Sequence, residues 1–405
     1  MIGKLLAAPL RYKLTRPLHL RLAAADMRGG TRPKSDDAAH LAAAIDWLCR
    51  AQDVRGAHND AGSVSAGWNF EDGWLPGYPE TTGYIIETFI AAARYLTRSD
   101  LLARAHRMID WELSLQHEDG AFPGHFGEPG SRPVIFNTGQ IMHGMVAGYV
   151  QCGRNECLEA AVRAGHWLAR HQEPEGFWRV FEHRDVIHVY NTRGTWALVA
   201  TALLANDQLL LETARRNLDW AVSQQTPSGW YRNNAFTAGA HPYTHTIAYA
   251  VRGLLESGVL LGEQRYLHSA HLAATELAAR QRQDGWLAGT YADGWTPMST
   301  YSCVTGVAQM CLNWLRLAQE TGEDNFRDNA RRGIEYVKGT QRLDDPFDAA
   351  RGGIPGSHPI WGAYSRFEYP NWAAKFFVDA LMIQATNAAV PPVPARNAQK
   401  VAIHA

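Results

Sequence analysis

The sequence predicts an all-α fold, a single (α/α)6 toroid in which six helical hairpins close into one barrel. Three observations predict it. First, a glutamine recurs at Gln52, Gln116, Gln172, Gln225, Gln281 and Gln341, at gaps of 64, 56, 53, 56 and 60 residues. Periods of this size mark repeated supersecondary units. Second, a glycine stands four residues after each of the first five, as Gly56, Gly120, Gly176, Gly229 and Gly285. The sixth unit has Asp345 there and carries Gly352-Gly353 later, and an aromatic follows in four units as Phe122, Phe177, Trp230 and Trp286. Third, each glutamine closes one helical stretch and precedes a second, more apolar one.

The first helix of a unit is amphipathic. Leu101-Leu-Ala-Arg-Ala-His-Arg-Met-Ile-Asp-Trp-Glu-Leu-Ser-Leu-Gln116 places apolar residues at three- and four-residue spacing. The glycine is expected to end that helix, because the position just past a helix commonly takes positive φ. A loop of about 15–30 residues follows, rich in Gly, Pro, Trp and Tyr, which is long for a compact fold. The second helix is smaller in side chain and more apolar, as in Thr138-Gly-Gln-Ile-Met-His-Gly-Met-Val-Ala-Gly-Tyr149. Its counterparts start near Thr82, Arg193, Thr244, Thr305 and Trp372. One hairpin cannot bury its apolar face alone, so neighbours must stack. A closed stack places the apolar helices inside and the amphipathic ones outside; an open solenoid is the alternative. Gly83, Gly139, Gly194, Gly306 and Ala373 fall at matching places near the inner helix starts, where small residues permit close approach.

These units span residues 36–386. Residues 1–35 form a basic segment with eight Lys or Arg against Asp26, a net of +7 in a chain of net −1. It reads as a flexible tail or as a peripheral contact with an anionic membrane. Pro9 interrupts its apolar residues, which lack the unbroken run of a secretion signal. No window approaches the ~18 uninterrupted apolar residues of a membrane span. Residues 387–405, with Pro391-Pro-Val-Pro394, are expected to be a disordered tail. The five cysteines are odd in number and show no CxxC spacing, which fits buried thiols and a cytoplasmic location, with membrane-peripheral contact as a variant. The near-zero charge selects no nucleic acid partner.

In a closed ring the long loops all open on one end. They are aromatic and polar: Trp68-Asn-Phe-Glu-Asp-Gly-Trp-Leu-Pro-Gly-Tyr-Pro-Glu-Thr-Thr-Gly-Tyr84, Arg132-Pro-Val-Ile-Phe-Asn137, His188-Val-Tyr-Asn-Thr-Arg193, His241-Pro-Tyr-Thr-His245, Trp295-Thr-Pro-Met-Ser-Thr-Tyr301 and Tyr364-Ser-Arg-Phe-Glu-Tyr-Pro-Asn371. Aromatic faces pack on the C–H surfaces of sugars, while Asn, Arg and His bond hydroxyls and carboxylates. Candidate binding residues are therefore Trp74, Tyr78, Tyr84, Asn137, His188, Asn191, Arg193, Tyr243, Tyr301, Tyr369 and Asn371. The plainer alternative is that these aromatics plug the barrel end.

Candidate catalytic residues fall in two sets. Glu80 and Glu368 flank the first and last inner helices, which ring closure makes neighbours, and paired carboxyls can act on a glycosidic bond. A Glu near a helix start is also a common terminal charge. Tyr190, His241 and His245 form the second set. Proton abstraction beside a uronate carboxylate needs a neutralising cation or amide, here Arg193 or Asn137, and a His or Tyr base. Buried or hydrogen-bonded loop histidines without chemistry are the alternative.

Other chemistries lack their signatures. There is no phosphate-binding glycine loop and no GxSxG elbow, and Cys303 has no partner set for zinc. Neither a metal nor another cofactor is expected. Asp344-Asp-Pro-Phe-Asp348 matches a diphosphate–magnesium pattern, but it occupies a place where other units carry their glycine turn.

The Gln-x-x-x-Gly-Trp/Phe recurrence resembles the terpene cyclase and protein prenyltransferase toroids. Tyr78-Pro-Glu-Thr-Thr-Gly-Tyr-Ile-Ile86, Thr244-His-Thr-Ile-Ala-Tyr249, Gly352-Gly-Ile-Pro-Gly-Ser-His-Pro359 and Asn371-Trp-Ala-Ala-Lys-Phe-Phe377 are more closely similar to bacterial proteins encoded among exopolysaccharide-biosynthesis genes. The likeness spans residues 40–385. It implies a role in making or trimming a surface polysaccharide, on a toroid shared with lyases, hydrolases and uronyl epimerases. The acidic DxDD motif of a cyclising terpene enzyme is absent. The expected function is an enzyme acting on a polysaccharide or lipid-linked oligosaccharide, by glycoside cleavage or by uronate lyase or epimerase chemistry. A non-catalytic carbohydrate-binding scaffold and an isoprenoid enzyme are the alternatives.

Overall fold

The computed structural model describes residues 9–27, 35–128 and 131–386. A short helix, α1 (Pro17–Met27), precedes six hairpins. Their outer helices are α2 (Asp37–Asp53), α4 (Ser99–Leu115), α6 (Asn155–His171), α8 (Gln208–Ser223), α10 (Gln264–Arg280) and α12 (Asp324–Thr340). Their inner helices are α3 (Pro79–Tyr95), α5 (Ile135–Cys152), α7 (Thr192–Ala205), α9 (Thr244–Leu261), α11 (Val304–Thr321) and α13 (Asn371–Thr386). Each inner helix packs on the next, and α13 packs on α3 and α2. The ring is closed, as the sequence predicts.

Burial follows the two kinds of helix. Along α6 only Cys157, Ala160, Ala161, Ala164, Gly165, Trp167 and Leu168 are buried, a single stripe, whereas α5 is buried without a break from Ile135 to Gly148. Each Leu, Ile or Met so enclosed contributes roughly 1.5–3 kcal/mol. The small residues act as expected: a Cβ on Gly139 would lie 2.8 Å from the Cα of Gly194 on the adjacent inner helix.

The recurrent glutamine has one job in all six units. Its Nε2 donates to a carbonyl in the turn that follows and to a backbone carbonyl of the next outer helix, at 2.8 to 3.4 Å. In the last unit Gln341 reaches Gly352 O and His40 O, which joins α12 back to α2.

Two expectations about glycine need correction. The glycine does not cap the outer helix: α10 ends at Arg280, and Gly285, at φ +87, makes a turn pressed on the next outer helix. A Cβ there would stand 2.1 Å from Arg332 O, so close backbone approach, with positive φ, excludes a side chain. In the first unit this place belongs to Gly62 and not to Gly56, since Gln52 bonds Gly62 O and only Gly62 of the two has positive φ. Left-handed caps close the inner helices instead, at Gly153, Asn206, Gly262 and Gly322, where connections of two residues reverse the chain.

The connections from outer to inner helix are long and share one end of the barrel. Short strands brace them. β1 (Gly67–Asn69) pairs antiparallel with β2 (Gly73–Trp74) and β5 (Glu368–Pro370), and β3 (Ser302–Cys303) pairs with β4 (Ser357–His358). The first of these sheets ties the first long loop to the last.

The basic N-terminal segment is not a free tail where it is described. Arg21 pairs with Asp345 at 2.7 Å, Asp26 accepts from Ile360 N, Arg11 pairs with Glu71, and the rings of Tyr12 and His19 pack on Phe367 and Phe70. Residues 1–8, 28–34 and 387–405 lie outside the described residues. No described helix is long and apolar enough to cross a membrane.

Candidate active site

The mouth of the ring holds a cavity of about 560 Å³. It is built largely at the N-terminal ends of inner helices. Glu80 comes from the first turn of α3, Phe136 and Asn137 from α5, His245 from α9 and Trp372 from α13, with Tyr190 just ahead of α7. Helix N-termini carry partial positive charge, so their convergence favours an anionic or electron-rich ligand. Aromatic rings dominate the walls, among them Tyr78, Tyr84, Tyr243, Tyr249, Phe236 and Tyr364.

Pro79 at the first position of α3 fixes the helix start and sets Glu80 in the first turn. Burial pushes the Glu80 carboxyl up to about 7, against a hydrogen bond from Tyr78 Oη to Oε2 at 2.7 Å that favours the charged form. Glu80 is thus a carboxylic acid that keeps its proton close to neutrality. Burial also raises the phenols of Tyr78, Tyr84, Tyr190 and Tyr249, so these remain donors. Among the described residues, the hydroxyls of Tyr84 and Tyr249 and Nδ2 of Asn137 make no hydrogen bond of good geometry, although the two hydroxyls interact with each other and the Asn137 amide with Tyr78. Buried polar groups ordinarily find partners. These face a space a ligand can fill.

His245 is the counterpart of Glu80. Burial lowers its ring to about 3, opposed by the bond between Nδ1 and Gln309 Oε1 at 2.8 Å. That oxygen only accepts, so Nδ1 carries the proton and Nε2 keeps its lone pair. The ring is held between Tyr249 and Tyr364, with centroids 4.4 and 5.1 Å away. One cavity therefore holds a protonated carboxyl and a neutral imidazole with a free lone pair, a proton donor and a proton acceptor.

A charged layer lies under the cavity floor. Lys375 Nζ bonds Glu87 at 2.8 Å and Asp379 at 2.6 Å, and Arg193 stands 3.5 Å from Glu87. Burial opposes ionisation of Glu87, but Lys375 and Arg193 hold its carboxyl well below the usual range. Arg193 also donates to Nε2 of His143, and Arg252 and Arg316 clamp Glu256. The charges pair off within the layer, which makes a rigid base for the site.

Of the residues singled out from sequence, the cavity gathers Glu80, Tyr190, His241, His245, Tyr78, Tyr84, Asn137 and Tyr243. His241 is exposed at the rim. The others stand elsewhere. Glu368 lies in β5 opposite Asn69, and burial and Asp72 raise its carboxyl to about 7, but it does not line the cavity with Glu80. The expected carboxyl pair is not assembled there. Tyr369 accepts from Arg342 Nε, and Trp74 packs on Trp47. Asn371 Nδ2 bridges Ser65 O and Thr81 Oγ1, a clasp between last and first units. Asn191 bonds Glu182, His188 stacks under Tyr190 at 4.3 Å, and Tyr301 backs Tyr243. Arg193 belongs to the charged floor.

The cavity also uses residues the sequence reading passed over. Tyr249 follows His245 by four on one helix face, a signal that was present. Phe236, Thr237, His183 and Arg184 come from loops with no pattern to point at them. The Asp344–Asp348 run is engaged otherwise: Asp345 is buried against Arg21 and Arg342, and Asp348 bonds Arg351. Among the described residues, no His, Cys, Asp and Glu cluster has the arrangement to hold a metal.

Residues 80–254 match the squalene-hopene cyclase C-terminal domain family, less than half of the chain. No curated protein sequence matches. Solved structures do. An unsaturated glucuronyl hydrolase from Bacillus sp. GL1, responsible for glycosaminoglycan degradation, is 14% identical with a TM-score of 0.67, over 87% of this chain and 97% of that one. A cellobiose 2-epimerase from Bacillus thermoamylovorans is 13% identical with a TM-score of 0.66, over 84% and 95%. An unsaturated glucuronyl hydrolase specific for heparin is 13% identical with a TM-score of 0.67, over 85% and 96%. At these identities the likeness shows the α/α toroid and nothing finer.

Proposed function

We propose that this chain is a carbohydrate-active enzyme that moves a proton on a uronate-bearing polysaccharide or lipid-linked oligosaccharide, as a lyase or epimerase of surface polysaccharide biosynthesis. One observation carries the reading: Glu80 as an acid and His245 as a base line the same aromatic cavity. The toroid neighbours named as glucuronyl hydrolases and a sugar epimerase support a sugar in such a cavity. Among the described lining residues Glu80 is the one carboxyl. Glycoside cleavage by paired carboxyls needs two, so proton-transfer chemistry is preferred to hydrolysis.

The chemistry balances on these groups. His245 Nε2 takes the proton from the carbon beside the uronate carboxylate, and the electron pair moves onto that carboxylate. Asn137 Nδ2 and the converging helix N-termini stabilise the added charge. In elimination the carbon–oxygen bond then breaks, a carbon–carbon double bond forms, and Glu80 protonates the departing oxygen. In epimerisation Glu80 returns a proton to the opposite face of the same carbon.

The test supplies acidic polysaccharides in deuterated water and follows three products. Ultraviolet-absorbing unsaturated ends, or deuterium at the uronate carbon, are expected from the wild type and not from Glu80→Gln. Saturated reducing ends alone would overturn proton transfer in favour of hydrolysis. Tight binding with no product would make the chain a carbohydrate-binding scaffold.

The partial match to the cyclase family, with an aromatic cavity around a protonated carboxyl, favours an isoprenoid enzyme as the second reading. Turnover of a polyprenyl substrate that depends on Glu80, with no sugar bound, would establish it.

A further inference from the structure

A groove of about 460 Å³ adjoins the cavity, and His183 and Arg184 border both. Its other walls are His125, Arg132, Val134, Glu182 and Asp185. Arg132 is neutralised by Asp185 at 3.2 Å. Arg184 makes no ion pair among the described residues; its Nη1 donates to Thr237 Oγ1 at 3.0 Å, which anchors the guanidinium at the border and leaves its other donors unused. Glu182 is buried, with Oε1 accepting from Asn191 and Oε2 unpartnered. Burial raises that carboxyl well above the usual carboxylate range, against the bonds from Asn191 and the His183 backbone, which favour its charged form.

The backbone around the groove is strained. Phe181, Arg184 and Asp185 take φ of +60, +58 and +55, and His125 across the groove takes +49. Left-handed geometry is costly for side-chain-bearing residues and concentrates where a ligand is gripped. Here it sets an unpaired arginine on the rim between two spaces.

We propose that the groove is a subsite for an acidic sugar adjoining the one held in the cavity, with Arg184 recognising its carboxylate. This rests on the carbohydrate reading above and narrows its substrate to an oligosaccharide with a uronate next to the reacting unit. The planar guanidinium matches a carboxylate with two parallel donors, which an uncharged hydroxymethyl group cannot satisfy.

Calorimetry on the full chain tests it with two disaccharides. Cellobiouronic acid joins a glucuronate to glucose, and cellobiose carries a hydroxymethyl where the acid has its carboxylate. The wild type is expected to bind the acid about tenfold or more tighter than cellobiose. Arg184→Gln should weaken the acid by about tenfold and cellobiose far less, because a charge-assisted bond is then lost from the acid alone. Arg184 is exposed, so the variant threatens no core packing. Arg132→Gln should alter the preference less, since its charge is already spent on Asp185. Tyr78→Ala should weaken both sugars alike. An Arg184→Gln that keeps the full acid preference overturns the subsite and leaves the cavity reading standing, whereas a wild type without acid preference overturns both the subsite and the uronate chemistry of the cavity. Failure of both disaccharides to bind overturns both.

Discussion

Tyr78 Oη donates to Glu80 Oε2 at 2.7 Å across the first turn of α3, and it is the one hydrogen bond that this half-buried carboxyl makes among the described residues. The bond favours ionisation and burial opposes it. Burial wins, and the acid keeps its proton to about pH 7. Activity that uses Glu80 as an acid should hold steady below that pH and fall by about tenfold per unit above it. Tyr78→Phe removes the bond that favours the charged form, so it should move the fall to higher pH. A pH–rate profile of both proteins checks the sign.

The same shift bears on stability. Folded Glu80 is protonated between 4.5 and about 7 while the unfolded chain has released that proton. The folded state then binds more protons, so stability falls as pH rises through this window. Glu368, also raised to about 7, adds to the slope. Buried histidines such as His245, lowered by burial, act in the opposite direction below pH 6.5, so the Glu80 share is read as a difference: from pH 5 to 7.5 the melting temperature of the wild type relative to Glu80→Gln should decline as pH rises.

The two histidines should separate cleanly. His245→Ala removes the buried acceptor and should lower kcat by about 100- to 10,000-fold, the range of a positioned general base. His241, exposed at the rim, should change KM more than kcat when replaced by Ala. Steady-state kinetics on both variants decide between them.

The charged floor makes a stability prediction. Lys375 is 1% exposed and holds Glu87 and Asp379 together. Lys375→Met leaves two buried carboxylates without their shared cation and should cost about 3–5 kcal/mol. Glu87→Gln added to it should recover part of the loss, because the pair is coupled. Urea unfolding midpoints of the two variants read this directly.

The ring was legible because one contact repeats. A glutamine amide that must reach two carbonyls has no substitute of equal geometry, so Gln52 through Gln341 persist and betray the unit. Glycines were legible as turns but not in their role, since nothing in the sequence separates Gly56 from Gly62, the one that takes positive φ and meets the next helix. At the site, Glu80, Asn137 and His245 could be found because they begin inner helices, and helix starts leave a pattern. Glu368 and Tyr369 could not be placed. Pairing of β5 with β1, a contact between residues some 300 apart, decides which way they face. Arg193 also begins an inner helix, but Glu87 and His143 draw its side chain under the floor. Phe236 and Arg184 sit in loops whose shape comes from packing alone.

A crystal of Glu80→Gln soaked with cellobiouronic acid would show where a sugar goes. We expect a sugar ring in the cavity at the mouth, against its aromatic wall, with ring or hydroxyl atoms within hydrogen-bond reach of residue 80 and of His245. A sugar bound elsewhere on the chain, with the cavity free of it at saturation, would contradict the carbohydrate site proposed here.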